Sequence, residues 1–290
     1  MDTHKAQKTG NMYYIYLPSA WCAKHAIKSR SPISLLVNPD GTLLLSSAPV
    51  AKTPKRLHLS VDTIDQNVLI KLIVACYINP LSSFIIECKK EADITMLLDQ
   101  KQFIGALDFI EFDGKKITYE SGLVVDDPYT LFTGMIRKTQ NLIHVITHNY
   151  NKELIMRYED EIDRTKLMIN KAVISGLAEG ASSLSPVELH YLALLAQHVE
   201  RLVDYMIQIQ DMKFVENIRE YIELIKQLML DPHELSYPAV LEFTSRVAEM
   251  KHAQVSDLSS YYKRRVRSHL GSLSEVLLNW AITKEVMKKQ

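Results

Sequence analysis

From Pro128 onward, apolar residues recur at intervals of three and four almost without interruption, a period that commits more than half of this 290-residue chain to helices. Phe132, Met135, Ile136, Ile143, Ile146 and Tyr150 set the first apolar face. Further helices are expected at about 152–178, 186–211, 214–230, 237–267 and 269–287. Ser185, Pro186 and Glu188 make a good helix start, and Asp231-Pro232 separates two of the later segments. Connections this short favour antiparallel neighbours, hence a bundle.

Two of these helices carry Glu-x-x-x-Asp: Glu159 and Asp163 in YEDEIDR, and Glu200 and Asp204 in HVERLVDY. A spacing of four puts both carboxylates of a pair on one helix face, where like charges repel by a few tenths of a kcal/mol unless something offsets them. In the first helix the acids interrupt the stripe Met156, Leu167, Asn170, Ile174, Leu177; in the second they interrupt Leu189, Ala193, Ala196, Ile207. Packed stripe to stripe, the two helices bring up to four carboxylates together. Such hard oxygen donors suit a divalent or trivalent ion: Mg, Mn, Ca, Fe or, less typically, Zn. The competing reading is a solvated edge, with Arg157, Arg164 and Arg201 as partners. His144 and His148 lie well off the apolar face of their helix and are expected to be exposed, and His198, two positions before Glu200, points elsewhere. Ile162 and Val203 stand where the Glu-x-x-His pairs of di-iron oxidases would need histidines.

The composition, 47% apolar and 23% charged, is that of an ordinary globular protein with room for two or three domains. No apolar run is long enough to span a bilayer, since LIKLIVACYI is short and contains Lys71. MDTHKAQKTG lacks the apolar stretch of a secretory signal, so a cytoplasmic protein without membrane insertion is expected. Cys22, Cys76 and Cys88 are odd in number, far apart and flanked by apolar residues, which reads as buried, reduced thiols. The net charge is zero, yet residues 1–56 hold eight lysines and arginines against Asp2 and Asp40. A basic head on an acidic body points to a polyanionic partner, above all nucleic acid.

That head reads as strand, short helix, strand, turn, strand, with a strand over Tyr13–Leu17, a helix over Ser19–Ala26, and a hairpin of 33–37 and 42–46 around Asn38-Pro39-Asp40-Gly41. A piece so small cannot bury a core alone, so dimerisation is expected. QKTGNMYYIYLPSAWCAKHAIK followed by a hairpin resembles the AbrB/SpoVT-like swapped-hairpin DNA-binding domains, in which two protomers interleave their strands. The likeness lies in Thr9-Gly10-Asn11, the strand, and Leu17-Pro18 leading into Trp21; Ser31-Pro32 stands where that family usually has Gly-Asp. It implies that Lys5, Lys8, Lys24, Lys28 and Arg30 face double-stranded DNA, while Trp21 and the Tyr13, Tyr14, Tyr16 cluster serve the dimer core.

Pro49, Lys52, Pro54 and Lys55 mark a linker. Beyond it a small α+β unit is expected: strand 57–61, helix 64–78, strand 83–88, helix 91–99, and a closing hairpin turning at Asp113-Gly114. It carries no Gly-rich phosphate loop, nucleophile elbow or Cys/His metal pattern.

YEDEIDRTKLMI and LLAQHVERLVDYMIQI resemble the PhoU family of phosphate-uptake regulators, three-helix repeats whose acidic motifs assemble metal clusters. Residues 214–290 have the length of a second repeat without a matching acidic pair, Glu249 and Asp257 being out of register, so one metal site is implied. The expected architecture is multidomain α+β: residues 1–50 as the swapped-hairpin DNA-binding and dimerisation domain, 56–126 as a connecting α+β domain, and 128–290 as a PhoU-like helical bundle. The resemblance implies a homodimeric, non-enzymatic regulator of phosphate homeostasis that binds DNA and carries metal at Glu159, Asp163, Glu200 and Asp204. The alternative is an interaction module that acts on a phosphate transporter or signalling protein without binding DNA.

Overall fold

The computed structural model describes residues 4–37, 41–47, 55–62, 65–91, 110–120, 127–180, 182–250 and 254–288. The chain divides into two compact units, Met1–Thr53 and Pro54–Gln290.

In the first unit β1 (Gln7–Thr9) pairs antiparallel with β2 (Met12–Tyr14), Lys8 opposite Tyr13. Gly10 turns the chain at φ 61, a left-handed conformation that glycine adopts without a Cβ clash. The strand expected over Tyr13–Leu17 is shorter and earlier than its aromatic run suggests, because Gln7–Thr9 offers ladder partners only to Met12–Tyr14. Pro18 then leads into α1 (Ser19–Lys24), where the Trp21 and His25 rings lie 5.4 Å apart. β3 (Ser34–Val37) and β4 (Leu43–Ser46) form a second hairpin, Leu35 opposite Leu45 and Val37 opposite Leu43. No described residue of this unit is buried: Tyr13 is 71% exposed, Val37 70% and Leu35 65%. These strands leave large apolar side chains exposed within the unit.

The second unit begins with a four-stranded sheet. β5 (Arg56–Val61) and β6 (Ser83–Cys88) run parallel, joined by α2 (Gln66–Ile78), and the hairpin of β7 (Ile110–Phe112) and β8 (Lys116–Glu120) completes the order β5-β6-β8-β7. Asp65 caps α2 by accepting from the amides of Asn67 and Val68, and the Asp113 carboxylate accepts from those of Lys115 and Lys116 in the hairpin turn. Leu69 and Ile73 of α2 close over Phe84, Ile86, Ile117 and Tyr119, with Tyr119 stacked on Phe84 at 5.0 Å. The helix expected at 91–99 lies outside the described residues.

The bundle follows: α3 (Pro128–His148), α4 (Lys152–Glu179), α5 (Pro186–Met206), α6 (Met212–Leu228), α7 (Tyr237–Ala248) and α8 (Leu258–Met287). Side-chain caps set most starts: Asp127, Asn151 and Asp211 each accept a hydrogen bond from a first-turn amide, and Ser185 with Glu188 forms a reciprocal capping box. Asp211 explains why α5 stops at Met206 rather than running to 211, since this residue caps the next helix. The late break also falls elsewhere than expected. Asp257 and Ser260 cap each other's backbone and start α8, which then runs unbroken through the position expected to divide it. Gly271, three residues further on, costs about 1 kcal/mol against Ala but removes no hydrogen bond.

Helix α4 packs against α3 and α5, and α5 lies antiparallel along α8, with Tyr205 beside Tyr262, His198 beside His269 and Tyr191 beside Trp280. The buried line of α4 is Ile155, Ile162, Ile169 and Val173; Met156 and Leu177, expected on its apolar stripe, are exposed. Leu167 of that stripe packs against the sheet's core instead. Two turns beyond Asp163, the buried Lys171 places its Nζ 4.4 Å from the Tyr77 ring centre and 3.1 Å from Tyr119 Oη, joining α4 to the α+β layer. No helix among the described residues is long and apolar enough to cross a membrane.

Candidate functional site

Helices α4 and α5 pack against each other, and carboxylate oxygens of three of the four acids, Asp163, Glu200 and Asp204, all lie within 4.8 Å of one another. Glu159, one turn before Asp163, stands outside this group of three but belongs to the same field: its Oε2 and the Asp163 Oδ1 are both buried without a hydrogen-bond partner. All four acids are partly buried.

Burial and mutual repulsion show in their proton affinities. Burial first, then the charges of Glu200, Asp204 and Glu159, push the Asp163 carboxyl up to about 7, even though Lys166 pulls the other way. Asp204 is pushed up to about 6 by burial and Glu200, against the pull of Lys166 and Arg201. Burial, Asp204 and Asp160 raise Glu159 as well. These groups are therefore short of positive charge in the metal-free protein.

A direct counter-ion is a residue that the sequence pattern did not single out. Lys166 Nζ stands 3.0 Å from Glu200 Oε1, both side chains being largely shielded from solvent. Its position three residues after Asp163, on the same helix face, was the available signal. The arginines weighed as partners do other things: Arg157 pairs with Glu153 at 2.6 Å, Arg164 acts on Asp160, and only Arg201 bears on the group, through Asp204. Lys166 and, through Asp204, Arg201 offset the group only in part, since Asp163 and Asp204 stay raised against them.

The donor set fits a hard cation. Two oxygens on opposite sides of a calcium-sized ion stand about 4.8 Å apart, at roughly 2.4 Å each from it, and smaller ions need less. His144 and His148 are exposed and stacked at 4.8 Å, and His198 turns to His269 of α8, so none of the three joins the acidic group. Glu249 and Asp257, the acids of the second half considered earlier, stand at the C-terminal end of α7 and the N-cap of α8.

In the N-terminal unit, Lys5, Lys8, Lys24, Lys28 and Arg30 are all exposed. Lys8 sits mid-strand in β1 with its Nζ 5.4 Å from the Tyr13 ring centre, and Lys24 ends α1. Lys28 and Arg30 occupy the turn that follows, where Arg30 holds φ 68 and the Lys28 amide donates to Ser31 Oγ. Side chains on that turn project from a backbone fixed by local hydrogen bonds.

No protein-family model matches the chain, and no match was found among curated proteins or solved structures.

Proposed function

We propose that this protein is a homodimeric, non-enzymatic regulator of phosphate uptake that binds double-stranded DNA through its N-terminal unit and holds a divalent or trivalent cation in its helical bundle. The convergence of Asp163, Glu200 and Asp204, with two buried carboxylate oxygens in the cluster lacking any partner, supports this reading most directly. Asp163, Glu200 and Asp204 would hold the ion, with Glu159 one turn away contributing to its field. The ion would supply positive charge that Lys166 alone does not.

The N-terminal half of the proposal draws on the surplus of basic residues and on the likeness of its hairpins to the AbrB/SpoVT-like domains. Exposed apolar strands call for a second copy, and two copies related by two-fold symmetry suit a two-fold symmetric DNA site. Genome-wide DNA occupancy of the full chain at high and low phosphate tests DNA binding and signal together. Phosphate-dependent enrichment at a shared, symmetric sequence is the expected result, and uniform background would sink it.

A second reading keeps the dimer and drops the DNA, leaving the bundle to act on a transporter or signalling partner. The exposure of nearly every large apolar side chain in the N-terminal hairpins favours it equally, since that feature requires a partner copy and no nucleic acid. A gel-shift series with fragments from phosphate-responsive promoters separates the two.

A further inference from the structure

The seam between α5 and α8 carries a second polar cluster, turned about a third of the way round α5 from the acidic group. Helix α5 contributes His198, Arg201 and Tyr205; α8 contributes Arg265 and His269. The rings of His198 and His269 stand 5.7 Å apart, Tyr205 stacks on His269 at 5.6 Å with the ring planes 13° apart, and the Arg265 guanidinium lies 5.0 Å from the centre of Tyr205. The stack fixes these groups against one another.

Its hydrogen-bond accounting does not close. Arg265 Nη2 makes a long contact, 3.5 Å, with His269 Nε2. A guanidinium only donates, so Nε2 accepts and the proton of the neutral ring sits on Nδ1. That Nδ1 is buried without a partner, in a residue only 4% exposed, and Arg265 Nε and His198 Nδ1 are in the same condition. Buried donors without acceptors are costly, and groups of this kind normally find a partner.

The charge accounting points the same way. Neither Arg201 nor Arg265 forms a salt bridge with a described carboxylate. Burial, Arg265, His198 and Arg201 drive His269 down to about 4. The cluster therefore offers two guanidinium groups and at least two buried N–H donors with no carboxylate hydrogen-bonded to them among the described residues; Glu275, which acts on His198, and Asp204, on which Arg201 acts, bear on it only through space. Arg201 is exposed, which gives the cluster a solvent side.

We propose that Arg265, His269, His198 and Arg201 form a binding site for a small oxyanion of the phosphate or sulfate type. Several acceptor oxygens on one charged group would satisfy the orphaned donors, and guanidinium–oxyanion hydrogen bonds are among the stronger ones available. This site does not depend on the cation reading of the acidic cluster, and its test is run with that cluster stripped of metal.

The experiment titrates the full chain with inorganic phosphate, and separately with sulfate, by calorimetry in EDTA at constant ionic strength set with sodium chloride. Wild type is expected to bind at least one of the two saturably; which one is preferred identifies the ligand. Arg265→Gln is expected to weaken binding at least tenfold, while Arg264→Gln, an equal charge change at the exposed neighbouring position, stays within twofold. His269 is followed in wild type by NMR, because a bound anion must raise its imidazole pKa relative to chloride alone, whatever the variants do to the fold. Absence of saturable binding, equal weakening by Arg264→Gln and Arg265→Gln, or an unmoved His269 titration would each overturn the proposal.

Discussion

Lys166 Nζ and Glu200 Oε1 stand 3.0 Å apart at the point where α4 and α5 bring their carboxylates together. The ammonium partly compensates the acidic group, and under the proposed function a cation entering the group would take over that task. Lys166→Met should cost about 1–2 kcal/mol in EDTA, the loss of one charge-assisted hydrogen bond, and clearly less in excess manganese. Denaturant melts under both conditions measure the difference. An equal loss in the two would mean that Lys166 acts only through packing.

The raised proton affinities of Asp163, near 7, and Asp204, near 6, against an ordinary 3.8, carry a pH signature. Between about pH 4 and pH 7 the folded metal-free protein binds more protons than the unfolded chain, so stability is greatest below the unfolded values and falls as pH rises through the folded ones. The double replacement Asp163→Asn with Asp204→Asn should flatten that fall and leave the metal-free protein about 1–2 kcal/mol more stable at pH 8, after discounting for solvent screening. It should also abolish the gain from metal, about 2.7 kcal/mol at 100 times the dissociation constant. Elemental analysis and melting curves at pH 5 and 8, with and without metal, are the measurements. Failure of wild type to retain stoichiometric metal would return the cluster to the solvated-edge reading.

For the N-terminal unit, replacing Lys8, Lys24 and Arg30 by Ala should reduce DNA affinity and flatten its dependence on salt. Each lost phosphate contact lowers the slope of log affinity against log salt by about 0.9. A weakened complex with the slope of wild type would show that these three side chains do not meet the phosphates.

Trp21 is only half-buried within one copy of the unit, in which Tyr13, Tyr16 and the apolar strand residues are exposed. If a second copy completes that core, Trp21→Ala should weaken the dimer by about 3 kcal/mol, more than a hundredfold in dissociation constant. Sedimentation equilibrium reads the change directly. A variant that stays dimeric yet loses DNA would move Trp21 to the nucleic-acid surface.

Helices α3 to α6 were legible from apolar periodicity, with Ser185 marking the start of α5, whereas Asp211 read as the end of one helix and is the cap of the next. The strand-helix-strand order of β5, α2 and β6 was legible from short apolar runs around an apolar helix; their parallel pairing is a finding of the structure. Periodicity could not say which flank of a wide stripe is innermost: Met156 and Leu177 fit the pattern of α4 and are exposed, while Ile155 and Ile162 take the buried line. The acidic group was readable from spacing alone, because four residues fix a shared face. Lys166 was not singled out, since the ion pair depends on how α4 and α5 cross. The α5–α8 histidine cluster was hidden for the same reason, its members lying some seventy residues apart in sequence.

Lys171 ties the acidic helix to the sheet. Its ammonium donates to Tyr119 Oη at 3.1 Å and lies over the Tyr77 and Tyr119 rings, while burial and Tyr119 push the Tyr77 phenol up to about 12, keeping it neutral at working pH. Lys171→Met keeps most of the packed stem and removes a buried charge, so it should change stability by less than about 1 kcal/mol. Tyr119→Phe in wild type strands that charge without its acceptor and should cost about 1–3 kcal/mol. Combined with Lys171→Met, the same Tyr119→Phe change should cost almost nothing, because no donor remains to be satisfied. A double-mutant cycle measures the coupling, and additive losses would show that the phenol matters for packing in the sheet and not for holding α4.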